Sequence, residues 1–203
     1  MDAGALRVRL HYDFASSLCY VAHRVMQRMG ATLDELGIAL EWAALDLARL
    51  TGPYRPGVEI PEVRRMNAAR VAQELGVPMH VPSVWPDSSA VNGAAYLAER
   101  AGRGASWRER VFTLLFEERR PAPAPAETAA LAAELGLSLA IRDIERSLRE
   151  LEVKTELARE EGVSGVPTFM LGSWPFGGIQ SEETMRHVLT RFASKARAGE
   201  LVA

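Results

Sequence analysis

The sequence predicts an α/β fold, a four-stranded mixed sheet flanked by helices and interrupted by a large all-helical insertion. Two βα segments open the chain, a block of roughly 100 residues in the middle is helical nearly throughout, and a ββα pattern closes it. Leu6 to Tyr12 alternates apolar and polar residues, the mark of a strand with one buried face. It runs through Asp13-Phe14-Ala15-Ser16-Ser17-Leu18-Cys19-Tyr20 into an amphipathic stretch that reaches about Leu36 and is closed by Gly37. Ser16 or Ser17 is a natural N-cap, which places a hydroxyl at the positive end of a helix beside unpaired N–H groups. Ile38 to Leu45 reads as the second strand. A strand, a helix and another strand make a βαβ unit, so the two strands are expected to be parallel neighbours. Thr51-Gly52-Pro53-Tyr54-Arg55-Pro56-Gly57 is a loop.

In the middle block, Pro61 suits the first turn of a helix to Leu75, stopped by Gly76. Asp87 or Ser88 caps the next, to Ala101, and Ser106 a third that ends before Pro121. Pro121 to Ala126 is a stiff linker. Glu127–Leu135 and Leu139–Glu161 complete the block. The expected division is residues 1–57 with 150–203 for the α/β domain and 58–149 for the inserted helical domain. Thr168–Leu171 and Trp174–Phe176, joined by Gly172-Ser173, form a hairpin. A last helix runs from Ser181 to about Ala196.

Pro167 stands where the first hairpin strand begins. Proline has no N–H for the ladder, so it belongs at a strand start or edge, with a cis Val166-Pro167 bond as one outcome. Such a turn leaves the preceding backbone groups facing outward, where an extended ligand can pair with them.

Composition narrows the function classes. The 203 residues are 48% hydrophobic, enough for a full core. With 24 basic and 26 acidic side chains the formal charge is -2, which gives no electrostatic reason for a nucleic acid or an anionic membrane as partner. No apolar run approaches the roughly 20 residues of a membrane span, and the N-terminus lacks a signal pattern. A soluble, cytoplasmic protein is therefore expected. The single cysteine, Cys19, excludes an internal disulfide and a multi-cysteine zinc site, and the four histidines are scattered, so no metal is expected. Trp42 and Trp107 read as core residues. Tyr54 and Trp85, in loops, are candidates for an apolar substrate pocket together with Ser88. Arg55, Arg64 and Arg65 can hold a carboxylate. His23 continues the helix face of Ser16 and Cys19.

The order of elements resembles the thioredoxin-fold superfamily, in its DsbA-like branch with a helical insertion. Asp13 to Tyr20, Gly162 to Phe169 and Phe176 to Ser181 carry the resemblance. Disulfide oxidoreductases of that branch have Cys-x-x-Cys where this chain has Ser16-Ser17-Leu18-Cys19, and an acidic residue where it has Leu10. The serine resembles 2-hydroxychromene-2-carboxylate isomerases and kappa-class glutathione transferases. That resemblance implies glutathione as cosubstrate, a small electrophilic or aromatic substrate, and Ser16 as the group that stabilises the thiolate. It also implies Val166, Pro167, Gln180 and Ser181 as glutathione-binding positions. Cys19 is the second catalytic candidate, for an oxidoreductase using one thiol. A peptide-binding relative without catalysis is the third reading. A homodimer is compatible with all three.

Overall fold

A computed structural model describes residues 5–200. The strands are β1 (Leu6–Tyr12), β2 (Ile38–Ala44), β3 (Thr168–Leu171) and β4 (Trp174–Gly177), in the spatial order β2-β1-β3-β4. β1 and β2 are parallel, with Leu6 opposite Ile38 and Tyr12 opposite Ala44. β3 runs antiparallel to β1, and β4 antiparallel to β3. The sheet is therefore the four-stranded mixed one expected. Val8, Leu10 and Tyr12 point into the main core, while Arg7, Arg9 and His11 occupy the other face, as period-2 alternation requires.

Nine helices follow the chain among the described residues: α1 (Ser17–Arg28), α2 (Gly30–Glu35), α3 (Leu47–Leu50), α4 (Glu62–Glu74), α5 (Ser89–Arg100), α6 (Gly104–Phe116), α7 (Pro125–Glu134), α8 (Ile141–Glu160) and α9 (Glu182–Arg197). The first amphipathic stretch is thus two helices rather than one. The break falls at Met29, just before Gly30, a residue whose backbone freedom weakens a helix. The short α3 follows the second strand and leads into the Thr51–Gly57 loop, over residues to which the sequence pattern assigns no element. α6 begins at Gly104 rather than at a Ser106 cap, and α7 takes Pro125 into its first turn, where the missing N–H costs nothing.

One large cluster joins Val8, Leu10 and Phe169 of the sheet with Trp107, Phe112 and Leu131 of the helical block. Trp107 is fully buried. Trp42 is only partly buried, with the Arg108 guanidinium 4.7 Å above its ring. The boundary expected between 149 and 150 falls inside α8, whose twenty residues pack on α5 and α3. His23 is buried between the rings of Trp42 and Phe112, with Nε2 3.0 Å from Glu109 Oε2, so it ties α1 to α6 rather than facing solvent.

Candidate functional site

The site forms where β1 hands over to α1. Ser16 is the N-cap, its Oγ accepting from the Cys19 N–H at 3.3 Å while its carbonyl accepts from Cys19 and Tyr20. The N–H groups of Ser17 and Leu18, in the first turn, have no hydrogen-bond partner among the described residues. There is no acidic side chain in that turn. Unpaired donors and the helix dipole make this end attractive to an anion.

Across a cavity of about 420 Å³ lies the turn before β3. Its Val166-Pro167 peptide is cis. The Gly165 carbonyl accepts from Thr168 Oγ1 at 2.7 Å, and the Pro167 carbonyl from the Gly178 N–H at 2.8 Å. Between them, the N–H and C=O of Val166 have no partner among the described residues. Ser16, Val166, Tyr54 and Trp85 all line the one cavity, although 150 residues separate the first two. The Tyr54 and Trp85 rings meet edge-on with centroids 4.9 Å apart, and the Tyr54 hydroxyl donates to the Pro86 carbonyl. Tyr54 thus contributes an apolar edge, with its hydroxyl already engaged. Of the three arginines, Arg64 of α4 lines the cavity. Arg55 donates to the carbonyls of Gly52 and Tyr54, and Arg65 faces Glu59 at 3.9 Å.

Four expected residues lie elsewhere. Pro167 directly precedes β3 and is not among the residues that line the cavity. Gln180 and Ser181 sit beyond the hairpin, where Gly178 with φ of 84° redirects the chain. Gln180 is exposed, and Ser181 caps α9 by accepting from the Thr184 N–H at 3.2 Å. Ser88 is a buried strut beneath the pocket, not part of its wall, because its Oγ donates to Asp13 Oδ1 at 2.6 Å. Cys19 requires the clearest correction. Its side chain belongs to the main core with no exposed surface, and burial pushes the thiol up to about 12, against a smaller pull from its hydrogen bond to Ser16. A buried protonated thiol is a poor nucleophile. Alkylation of Cys19 by iodoacetamide is expected to be at least about 100-fold slower in the native protein than in urea. Equal rates would contradict this burial.

A supporting network with no assigned role in the sequence lies under the site. Asp13 is 1% exposed, yet three donors converge on it. Oδ1 accepts from the Ala15 N–H at 2.7 Å and from Ser88, and Oδ2 accepts from the Leu47 N–H at 2.7 Å. Asn92 completes it, accepting from the Phe14 N–H at 3.2 Å and donating to the Leu45 carbonyl at 3.0 Å. Burial raises the Asp13 carboxyl above its ordinary range, while these hydrogen bonds pull it back. Leu47 is a wall of the cavity and Ala15 precedes Ser16, so the carboxylate sets both. An acidic residue directly after an apolar strand was the available signal.

A helix N-terminus facing a cis-prolyl turn, on a sheet of order β2-β1-β3-β4 with a helical block, defines a thioredoxin-fold site. The family described as the DSBA-like thioredoxin domain matches residues 7–190, and the chain belongs to it. Among solved structures, a 2-hydroxychromene-2-carboxylate isomerase is similar at 23% identity, with a TM-score of 0.69, covering 98% of this chain and 100% of that one. A probable DsbA oxidoreductase from Streptomyces coelicolor is similar at 17% identity, with a TM-score of 0.71, covering 94% of this chain and 91% of that one. The cytosolic disulfide reductase DsbM from Pseudomonas aeruginosa, solved with GSH, is similar at 21% identity, with a TM-score of 0.63, covering 96% and 98%. No curated protein matches by sequence. These likenesses share the fold of this chain. No helix of the described residues is long and apolar enough to cross a membrane. Among those residues no group of three or more His, Cys, Asp or Glu side chains could hold a metal ion.

Proposed function

We propose that the protein is a glutathione-dependent isomerase or transferase acting in the cytoplasm on a small electrophilic or aromatic compound. One observation carries this reading: the Ser16 hydroxyl at a helix N-terminus and the unpartnered backbone of Val166 line the same cavity. A serine has no redox chemistry, but its O–H can donate to a thiolate supplied by a ligand. The first-turn N–H groups of Ser17 and Leu18 add to that stabilisation, as they would for a protein thiolate. The N–H and C=O of Val166 suit the cysteinyl backbone of glutathione, as an added strand would pair. The DsbM structure solved with GSH supports a tripeptide ligand on this fold.

In the reaction, the thiolate sulfur forms a bond to an electrophilic carbon of the substrate. In an isomerisation that S–C bond breaks again after rotation, and the thiolate returns. In a transfer the bond remains and the displaced group, or an added proton, balances the charge. Leu47, Tyr54 and Trp85 offer an apolar surface for the substrate, and Arg64 a cation for a carboxylate of either partner. The burial of Cys19 weighs against a one-thiol oxidoreductase.

Calorimetric titration with glutathione, followed by thiolate absorbance in the ultraviolet, tests the reading. Bound glutathione is expected to ionise at lower pH than free glutathione. Ser16→Ala is expected to reverse that shift and to reduce turnover roughly 100-fold. No binding at about 10 mM glutathione, an affinity weaker than about 3 kcal/mol, would refute it. Binding in which Ser16→Ala leaves the thiol ionisation unchanged would favour a peptide groove without thiolate chemistry.

A further inference from the structure

Six helices of this chain end alike. After α2, α4, α5, α7, α8 and α9 stand Gly37, Gly76, Gly102, Gly136, Gly162 and Gly199, each left-handed with φ between 59° and 88°. Glycine is the usual choice there because it has no Cβ to clash. α1 and α3 end without a left-handed residue. α6 alone ends on a left-handed residue that is not glycine. Its turn is closed by bonds from the Glu118 N–H to the Thr113 carbonyl at 2.9 Å and from the Arg120 N–H to the Leu114 carbonyl at 3.0 Å. The left-handed residue is Arg119 with φ of 60°, the one non-glycine with positive φ among the described residues. A strained position held by a long cation points to a use for the side chain.

Arg119 stands where two cavities meet. One, of about 770 Å³, lies between α1, residues 76–80 and the end of α6. The other, of about 490 Å³, extends along residues 80–87 to Pro121 and Ala122. Arg119 and His80 line both. No carboxylate of the described residues lies within salt-bridge distance of Arg119, whereas Arg24, Arg28, Arg110 and Arg120 each have one. The neighbouring Glu117 is engaged by Arg24 and by the Tyr20 hydroxyl. Pro78 and Met79 supply apolar wall. This region is distinct from the Ser16 cavity, which it borders only across Trp85.

We propose that the double cavity binds a small phosphate monoester with an apolar substituent, the phosphate held by Arg119 and His80. A guanidinium fork and an imidazole on the wall of one cavity suit a tetrahedral dianion, with its several acceptors, better than a planar carboxylate that one fork would satisfy. The substituent rests on Pro78 and Met79.

Titration of the full chain with phenyl phosphate, inorganic phosphate and benzoate tests this. Phenyl phosphate is expected to saturate, and to bind about tenfold tighter than benzoate. Arg119→Gly, which relieves the backbone, is expected to weaken phenyl phosphate at least about tenfold while the thermal midpoint stays level or rises. His80→Ala is expected to weaken it less. Absence of saturation by about 10 mM phenyl phosphate would overturn the site, as would unchanged affinity in Arg119→Gly. A lowered midpoint in Arg119→Gly would assign the side chain to the fold and also overturn it.

Discussion

Asp13→Ala is expected to lower the stability of the protein by about 4 kcal/mol, because it leaves buried donors on three separate segments without an acceptor, at 1–3 kcal/mol each. The donors are the backbone N–H groups of Ala15 and Leu47 and the Ser88 hydroxyl, all at 2.6–2.7 Å from the carboxylate. Water cannot replace the aspartate without opening the core, since Asp13 is 1% exposed and Ser88 3%. Asp13→Asn is expected to retain much of the loss, because its amide N–H would face one of those donors in place of an acceptor. Ser88→Ala removes a single donor and leaves Asp13 with two, so about 1 kcal/mol is expected. Urea unfolding monitored by circular dichroism gives the three values. An Asp13→Ala midpoint close to that of Ser88→Ala would contradict the convergence described here.

Acidification is the second large effect. Burial, the leading cause for each, holds the imidazoles of His11 and His23 at about 4 against an ordinary 6.5. Arg9 pushes His11 further down and Glu161 opposes it. Glu109 raises His23, while Arg108 and Arg24 lower it. Unfolded, both rings take up protons near pH 6.5; folded, they resist until about 4. Stability is therefore complete above pH 6.5 and is lost as the pH falls toward 4, by up to about 3 kcal/mol per ring. Asp13 has the opposite sign, since its raised carboxyl favours the fold as protons are added. Glu109, held at about 2, adds a further loss only below the ordinary carboxylate range. Urea midpoints are expected to drop clearly between pH 7.5 and 4.5, and His11→Leu is expected to flatten the curve. Neither His11 nitrogen has a partner among the described residues, so the leucine removes a desolvation cost as well. Midpoints that do not change between those pH values would refute this account.

The readable parts of the fold were those with local causes. Alternation placed β1 to within its ends, a hydroxyl before an amphipathic run placed the α1 cap, and a proline without an N–H marked the start of β3. The sequence pairs Ser16 with Val166 and, separately, Tyr54 with Trp85, and the fold brings all four to one cavity. What escaped was set by partners far along the chain. Ser88 was read as a pocket residue because nothing nearby shows that it bonds Asp13, 75 residues earlier. Spacing put Cys19 one turn from Ser16, but its burial depends on helices packed around α1. Gln180 and Ser181 were carried over by resemblance, and the turn at Gly178 directs them away from the cavity.

The cap bond at Ser16 has a further consequence for which ligands the site can accept. A serine hydroxyl has one proton and two lone pairs. One lone pair accepts from the Cys19 N–H, and the proton is shared between the Cys19 sulfur beneath and the cavity in front. A ligand atom that arrives there competes with a buried thiol for that one proton. On the proposed glutathione reading the competition favours one protonation state of the guest, because a thiolate accepts the proton strongly whereas a neutral S–H does so poorly. The start of the helix and the charge of the guest would then both turn on a single oxygen.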